Sequence, residues 1–197
     1  MNFKNQFISQ REILLIVDEV NVLGPDLVLK GCSVLSSCTA EALVIGGLRM
    51  DGGVFSQRSP LSNYHFERAH FEGVSFVGSY VGCDFGDWDS AQNSSVANCD
   101  FTNARLDGCR FLRCEPQTIL FPKWPCFTII NPKAACQYVS SQRWPGRIGT
   151  TLGIYTDADS ECVAITGDAE RLAKKNNLSL SDLRILLMKI PGILIAD

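Results

Sequence analysis

The sequence predicts a mainly β solenoid, a chain that stacks short strands coil upon coil. Three observations predict it. Large apolar residues recur every five positions, as Phe66, Phe71, Phe76 and Val81 and again as Val96, Phe101, Leu106 and Phe111. The two runs share one phase, because Val81 and Phe101 stand twenty residues apart. A small residue sits two positions before the large one at Ala69, Ser79, Cys99, Ala104 and Cys109, and the positions between are mostly polar. A period of five suits neither an α-helix nor a plain strand, and a fixed period marks an internal repeat. In an extended chain residues i and i−2 share a face, so the small and large series point inward together. One such unit encloses no core, so neighbours must stack. Each phenylalanine buried in that stack is worth about 1.5–3 kcal/mol.

The clearest stretch is Cys99-Asp100-Phe101-Thr102-Asn103-Ala104-Arg105-Leu106-Asp107-Gly108-Cys109-Arg110-Phe111. It resembles the pentapeptide-repeat family, whose pattern is a small residue, a polar one, Leu or Phe, and two more polar ones. The match is good over Ala69–Val81 and Cys99–Phe111 and weaker between them. The resemblance implies a right-handed quadrilateral parallel β-helix with four pentapeptides per coil.

Three regions are expected. Residues 1–26 read as an N-terminal cap, with a buried strand over Ile13–Val17 and a turn at Gly24-Pro25-Asp26. Residues 27–116 form the repeat. It is degenerate over 27–62, where Leu29/Val34 and Leu43/Leu48 keep the spacing of five but slip in phase, and regular over 64–114. Within it, strict phase points Gly86 and Ala91 inward and leaves Phe85 one residue out. Residues 86–95 therefore read as an excursion from the coil. There Trp88, between Asp87 and Asp89, either forms a contact surface or folds over the gap left by the small residues.

Residues 117–197 read as a C-terminal cap, or irregular further coils up to residue 165, ending in two helices. Short strands are expected at Ile119–Phe121, Phe127–Ile130, Leu152–Tyr155 and Cys162–Ile165. Helices are expected over Asp168–Lys175 and after an N-cap at Ser181, where Leu183, Leu186, Leu187 and Ile190 make an apolar stripe.

Composition narrows the function. A net charge of −3 gives no general attraction to nucleic acid or an acidic membrane. The apolar run Ile13–Val17 is far too short to cross a bilayer, and the N-terminus lacks the pattern of a signal peptide, which points to the cytoplasm. The nine cysteines form no Cys-x-x-Cys pair and read as small buried hydrophobes. His65 and His70 fall at outward positions, within reach of Glu67 and Glu72. Gly146–Gly153 lacks the lysine of a phosphate-binding loop and reads as a turn between strands. The helices after Asp168 read as an end cap rather than a DNA reader.

No catalytic set, metal or cofactor is expected. The expectation is a non-catalytic protein-binding solenoid, an antagonist that neutralises one partner protein such as a toxin. Its contact residues would come from Asp84, Asp87, Trp88, Asp89, Asp100, Arg105 and Arg110. The family resemblance supplies an alternative, because some members resemble duplex DNA and protect DNA gyrase. Between Asn63 and Gln117 eight acids face four arginines, a net of −4. Duplex DNA carries one charge per ~1.7 Å, about seven over the ~12 Å that the repeat spans at strand spacing. Such relatives are often dimers joined through C-terminal contacts, and the helices after Asp168 would block or replace that contact.

Overall fold

The computed structural model describes residues 1–197 and is a mainly β protein, 42% strand with 4 helices, wound as a parallel β-solenoid of about 5 turns. The first coil holds β1 (Asn2–Phe3), β2 (Gln6–Ser9) and β3 (Glu12–Leu15). Then follow β4 (Asn21–Leu23), β5 (Leu27–Ser36), β6 (Leu43–Ile45), β7 (Leu48–Ser62), β8 (Ala69–Glu72) and β9 (Ser75–Val81). The later coils carry β10 (Asp84–Phe85), β11 (Ser95–Ala97), β12 (Ala104–Asp107) and β13 (Arg110–Leu112). Strands of successive coils pair in parallel. Leu27 pairs with Leu48, and Leu48 with Ala69, the same step along the chain each time.

The inward side chains line up in columns. Ile8, Leu29, Met50, Phe71 and Val96 make one column, and Ile13, Val34, Phe55 and Phe76 a second. Phe101 extends the second, its ring 4.5 Å from that of Phe76 and within 2° of parallel. Leu61, Tyr80 and Leu106 form a third. Phe66, Phe85 and Phe111 form another, ring on ring at 4.8 and 5.2 Å. Ala69, Cys99, Ala104 and Cys109 are buried beside them, as their spacing requires. The inward cysteines are tied to carbonyls: the Cys99 thiol donates to Ala97 O at 3.2 Å and the Cys109 thiol to Tyr80 O at 3.3 Å.

Two assignments change phase. Val81 is only half-buried, and Tyr80 points inward in its place, its hydroxyl donating to Phe55 O at 3.1 Å. Phe85, five residues after Tyr80, is fully buried and fills the place that strict phase gave to Gly86. The cause lies one coil earlier. Gln57 pairs with Gly78 and Leu61 with Tyr80, so the three residues between those positions in one coil lie against one in the next. Leu43 and Leu48 are also buried, yet they take the narrow position two residues before Ile45 and Met50.

Gly78 makes the short corner feasible. Its φ is +103°, and a Cβ there would lie 2.0 Å from Gln57 O. Gly78→Ala combines a disfavoured backbone with a backbone clash, and a loss of about 1–3 kcal/mol is expected in urea unfolding. Gly73 has a φ of +62° but open space around it, so Gly73→Ala should cost only the left-handed backbone preference, about 1–2 kcal/mol, and less than Gly78→Ala. Equal losses in the two variants would show that the clash at Gly78 is relieved.

Residues 1–26 are themselves wound as a coil. β1 pairs with β4, and β2 and β3 pair with β5, all in parallel. Of the buried strand expected over Ile13–Val17, Ile13 and Leu15 are buried, whereas Leu14 and Val17 are 44% and 49% exposed. The opposite end is closed differently. β14 (Cys126–Ile130) and β15 (Cys162–Asp168) pair antiparallel, and β15 also runs antiparallel to β13, so it covers the edge of the last coil. A final strand, β16 (Ile193–Leu194), pairs with β14.

Packed on that sheet are α1 (Pro132–Ser141), α2 (Ile148–Thr156), α3 (Ala169–Lys175) and α4 (Leu180–Leu187). The first two were not expected. Pro132 stands at the start of α1, where its fixed φ suits the first turn. In α2 the glycines and threonines are weak helix formers. Ile148, Leu152 and Thr156 nonetheless share one buried face, so Leu152–Tyr155 is helix rather than strand. Asp168 caps α3, its side chain accepting from Arg171 N, and Ser179 rather than Ser181 caps α4. No helix is long and apolar enough to cross a membrane.

Candidate functional site: the excursion and its ion ladder

The coil lengthens most at one place. His65 is bridged to Asp84, and Asp84 pairs in turn with Arg110, a markedly longer step along the chain. The step from Asp100 to Leu120 is short again. The added chain is the stretch between Phe85 and Ser95.

This stretch is held by its own hydrogen bonds. The Asp87 carboxylate accepts from Asp89 N at 2.8 Å, Ser90 N at 2.9 Å and Asn93 Nδ2 at 3.3 Å. These bonds, led by that from Ser90 N, hold the Asp87 carboxyl below the usual carboxylate range. At its far end buried Ser94 donates to Phe66 O at 2.8 Å and accepts from Ala69 N at 3.0 Å. The loop is thereby stapled to the neighbouring coil at its return.

Beneath it lies a ladder of three charged or titratable residues from successive coils. Each stands immediately before an inward phenylalanine: His65 before Phe66, Asp84 before Phe85 and Arg110 before Phe111. Asp84 is only 1% exposed. Its carboxylate receives His65 Nδ1 at 2.6 Å, Arg110 Nε at 2.6 Å and Arg110 Nη2 at 2.7 Å. Trp88 Nε1 reaches it at 3.4 Å. The Arg110 guanidinium lies 4.9 Å from the Trp88 ring centroid, a cation–π distance. Arg113 Nε donates to Trp88 O at 2.8 Å. Trp88 is therefore folded back over the coil.

In front of this ladder is a depression of about 300 Å³. His65, Glu67, Arg68, Asp87, Trp88 and Asp89 bound it. The Nδ1 contact with Asp84 fixes the His65 ring and leaves Nε2 with no protein partner. Glu67 and Asp89 are exposed at the rim, and neither carboxylate is engaged in a salt bridge. The site offers carboxylates, the Arg68 guanidinium, an indole wall and an imidazole to an incoming polar group.

Of the residues proposed from the sequence for partner contact, Asp84, Asp87, Trp88, Asp89 and Arg110 come together here. Asp84 does so from inside: burial makes it the anchor of the site rather than a contact residue. His65, placed by sequence opposite Glu67, pairs with Asp84 because the nearest strand is one coil away, not one residue away. His70 likewise contacts Ser95 Oγ at 2.9 Å rather than Glu72.

Asp100 and Arg105 lie elsewhere. Asp100 accepts from Thr102 N at 2.8 Å and Thr102 Oγ1 at 2.7 Å, closing a turn. Arg105 ties the solenoid to the C-terminal region, its Nε on buried Asp168 at 2.6 Å and its Nη2 on Glu170 at 2.5 Å. Next to it Asp107 accepts from Tyr155 Oη at 2.9 Å and pairs with Arg171. Burial, reinforced by the Asp107 charge, pushes the Tyr155 phenol well above its usual range. These groups satisfy one another and form a latch between the two regions.

All nine cysteines are free thiols. Burial pushes Cys99, Cys126 and Cys162 up to about 11 and Cys114 up to about 12, so they remain protonated near neutrality. No three His, Cys, Asp or Glu side chains converge as a metal-binding group. Compared with protein-family models, curated proteins and solved structures, the chain matches none.

Proposed function

We propose that the chain is a pentapeptide-repeat protein, a right-handed quadrilateral β-helix, and that it acts by binding a protein partner without catalysing a reaction. The spacing of five and the columns of phenylalanine, cysteine and alanine support the family reading. The observation that carries the functional one is the excursion. The coil gains most of its extra length here, and the added chain is braced over a buried ion ladder beside a depression whose rim carries Glu67 and Asp89. A rigid, pre-formed patch binds at a low ordering cost.

The partner that fits it presents a basic side chain, with its cation between Glu67 and Asp89 and its stem against Trp88. Within this class we favour an antagonist that neutralises one specific protein of the cytoplasm, as an immunity protein does. Glu67→Arg combined with Asp89→Arg changes two exposed side chains and should leave melting unchanged. It should weaken capture of the partner held by the wild-type chain at least tenfold, by like-charge repulsion. Undiminished capture by the variant would count against this surface.

A second reading, a DNA mimic that protects gyrase, has one observation behind it. Arg105 and Arg113 are held by Asp168, Glu170 and Glu161 of the C-terminal region, so they do little to offset the acids of the coils. A supercoiling assay separates the two readings: protection of gyrase by micromolar wild-type protein, lost in the double variant, would favour this one.

A further inference from the structure

The two ends of the stack are unequal. In the last coil β15 covers β13, whereas β1, β2 and β3 each have one sheet neighbour, on the second coil only. The free edge is apolar for its size, with Phe7 67%, Leu14 44% and Val17 49% exposed. Inward Phe3 and Ile8, buried in later coils by the coil above, are only partly covered here. Such an edge is a template for further strand pairing.

Its hydrogen-bonding groups define the template. Gln6 N and Gln10 N donate to the second coil, to Asp26 O at 3.2 Å and Lys30 O at 2.9 Å. The Arg11 and Leu15 carbonyls accept from Ser33 N at 2.9 Å and Ser37 N at 3.2 Å. Because these groups alternate along a strand, the main-chain N–H and C=O of Phe7, Ser9, Glu12 and Leu14 point away from the stack. The corner between β2 and β3 is at Gln10, whose φ is +53°.

The edge is complementary to itself about that corner. Counting outward in both directions from between Gln10 and Arg11, Ser9 meets Glu12, Ile8 meets Ile13, and Phe7 meets Leu14. Farther out Lys4 meets Val17 and stands next to Asp18. Outward residues meet outward ones, inward meet inward, and the residues with free main-chain groups meet each other. A two-fold axis through the corner would produce this pairing, since it sets β2 of one copy antiparallel to β3 of the other.

We infer that the first coil is a homodimer surface, in which two stacks join end to end by reciprocal β2–β3 pairing. Phe7 of each copy packs on Leu14 of the other, and Lys4 lies beside Asp18. The C-terminal latch and the excursion are left at the outer ends, free for other contacts.

The test is mass in solution by light scattering or sedimentation, with a charge swap. The wild-type chain is expected at twice its monomer mass. Phe7→Lys alone and Leu14→Glu alone should each give monomers, and their exposed positions leave the core intact. In a mixture of the two variants, the introduced lysine of one faces the introduced glutamate of the other, and the second contact stays native, so the dimer should return. A monomeric wild type, a dimer unaffected by either substitution, or a mixture that stays monomeric would each overturn the proposal. Glutaraldehyde trapping of the same mixture gives a second readout should either variant melt early.

Discussion

Phe101→Asp is expected to abolish cooperative folding. Phe101 is fully buried, its ring parallel to Phe76 at 4.5 Å and edge-on to Phe85 and Phe111 at 5.0 and 5.1 Å. Removing a buried phenylalanine side chain costs about 3–5 kcal/mol. An uncompensated carboxylate at the same position adds several more, or must be protonated. Together these approach the roughly 5–15 kcal/mol that typically separates a folded domain from its unfolded chain. Far-ultraviolet circular dichroism with urea titration checks it: the variant should lack a cooperative transition, and Phe101→Leu should retain one with a lower midpoint. The control is Phe7→Asp, which is not expected to move the midpoint at concentrations where the chain is monomeric. A Phe101→Asp variant that melts like the wild type would remove that ring from the core.

The core was legible because its cause is periodic. Phe66, Phe71, Phe76, Phe101 and Phe111 are inward at the spacing of five, and their placement needs only the alternation of an extended chain. The assignment failed where a coil changed length. Tyr80 took the inward place of Val81, and Phe85 that of Gly86, because the chain just after Gln57 lengthens the corner one coil earlier. No local pattern around Tyr80 and Phe85 records a length set in the coil before. The site was half legible for the same reason. Trp88 between two acids marked the loop, yet Asp84 looked like a surface acid. Its burial depends on His65 and Arg110, each remote in sequence and adjacent only once the coils stack. Of the two missed helices, α2 is opposed by local propensity: buried contacts against the closing sheet, not helix-forming residues, hold Ile148, Leu152 and Thr156 in place.

The ion ladder makes the second large prediction, and it is asymmetric. Arg110→Met keeps the side-chain stem but withdraws both guanidinium bonds from a carboxylate that is 1% exposed. Breaking a buried pair from one side costs about 3–5 kcal/mol. Because the Arg110 side chain is 37% exposed, water can enter its place, and about 2–3 kcal/mol is the expected loss. Asp84→Asn leaves the cation instead, and a partly exposed guanidinium is readily hydrated, so about 1–2 kcal/mol is expected. The double variant should lose less than the sum of the two, with a coupling of about 1–2 kcal/mol from a double-mutant cycle in urea. Additive losses would mean that the pair contributes nothing beyond its separate packing. The same substitution reaches function through Trp88, which rests on the Arg110 guanidinium at 4.9 Å. Arg110→Met should therefore release the indole and weaken partner capture more than Asp84→Asn does, since the latter keeps the stacking cation in place. A variant that melts early yet binds normally would separate the ladder from the surface it supports.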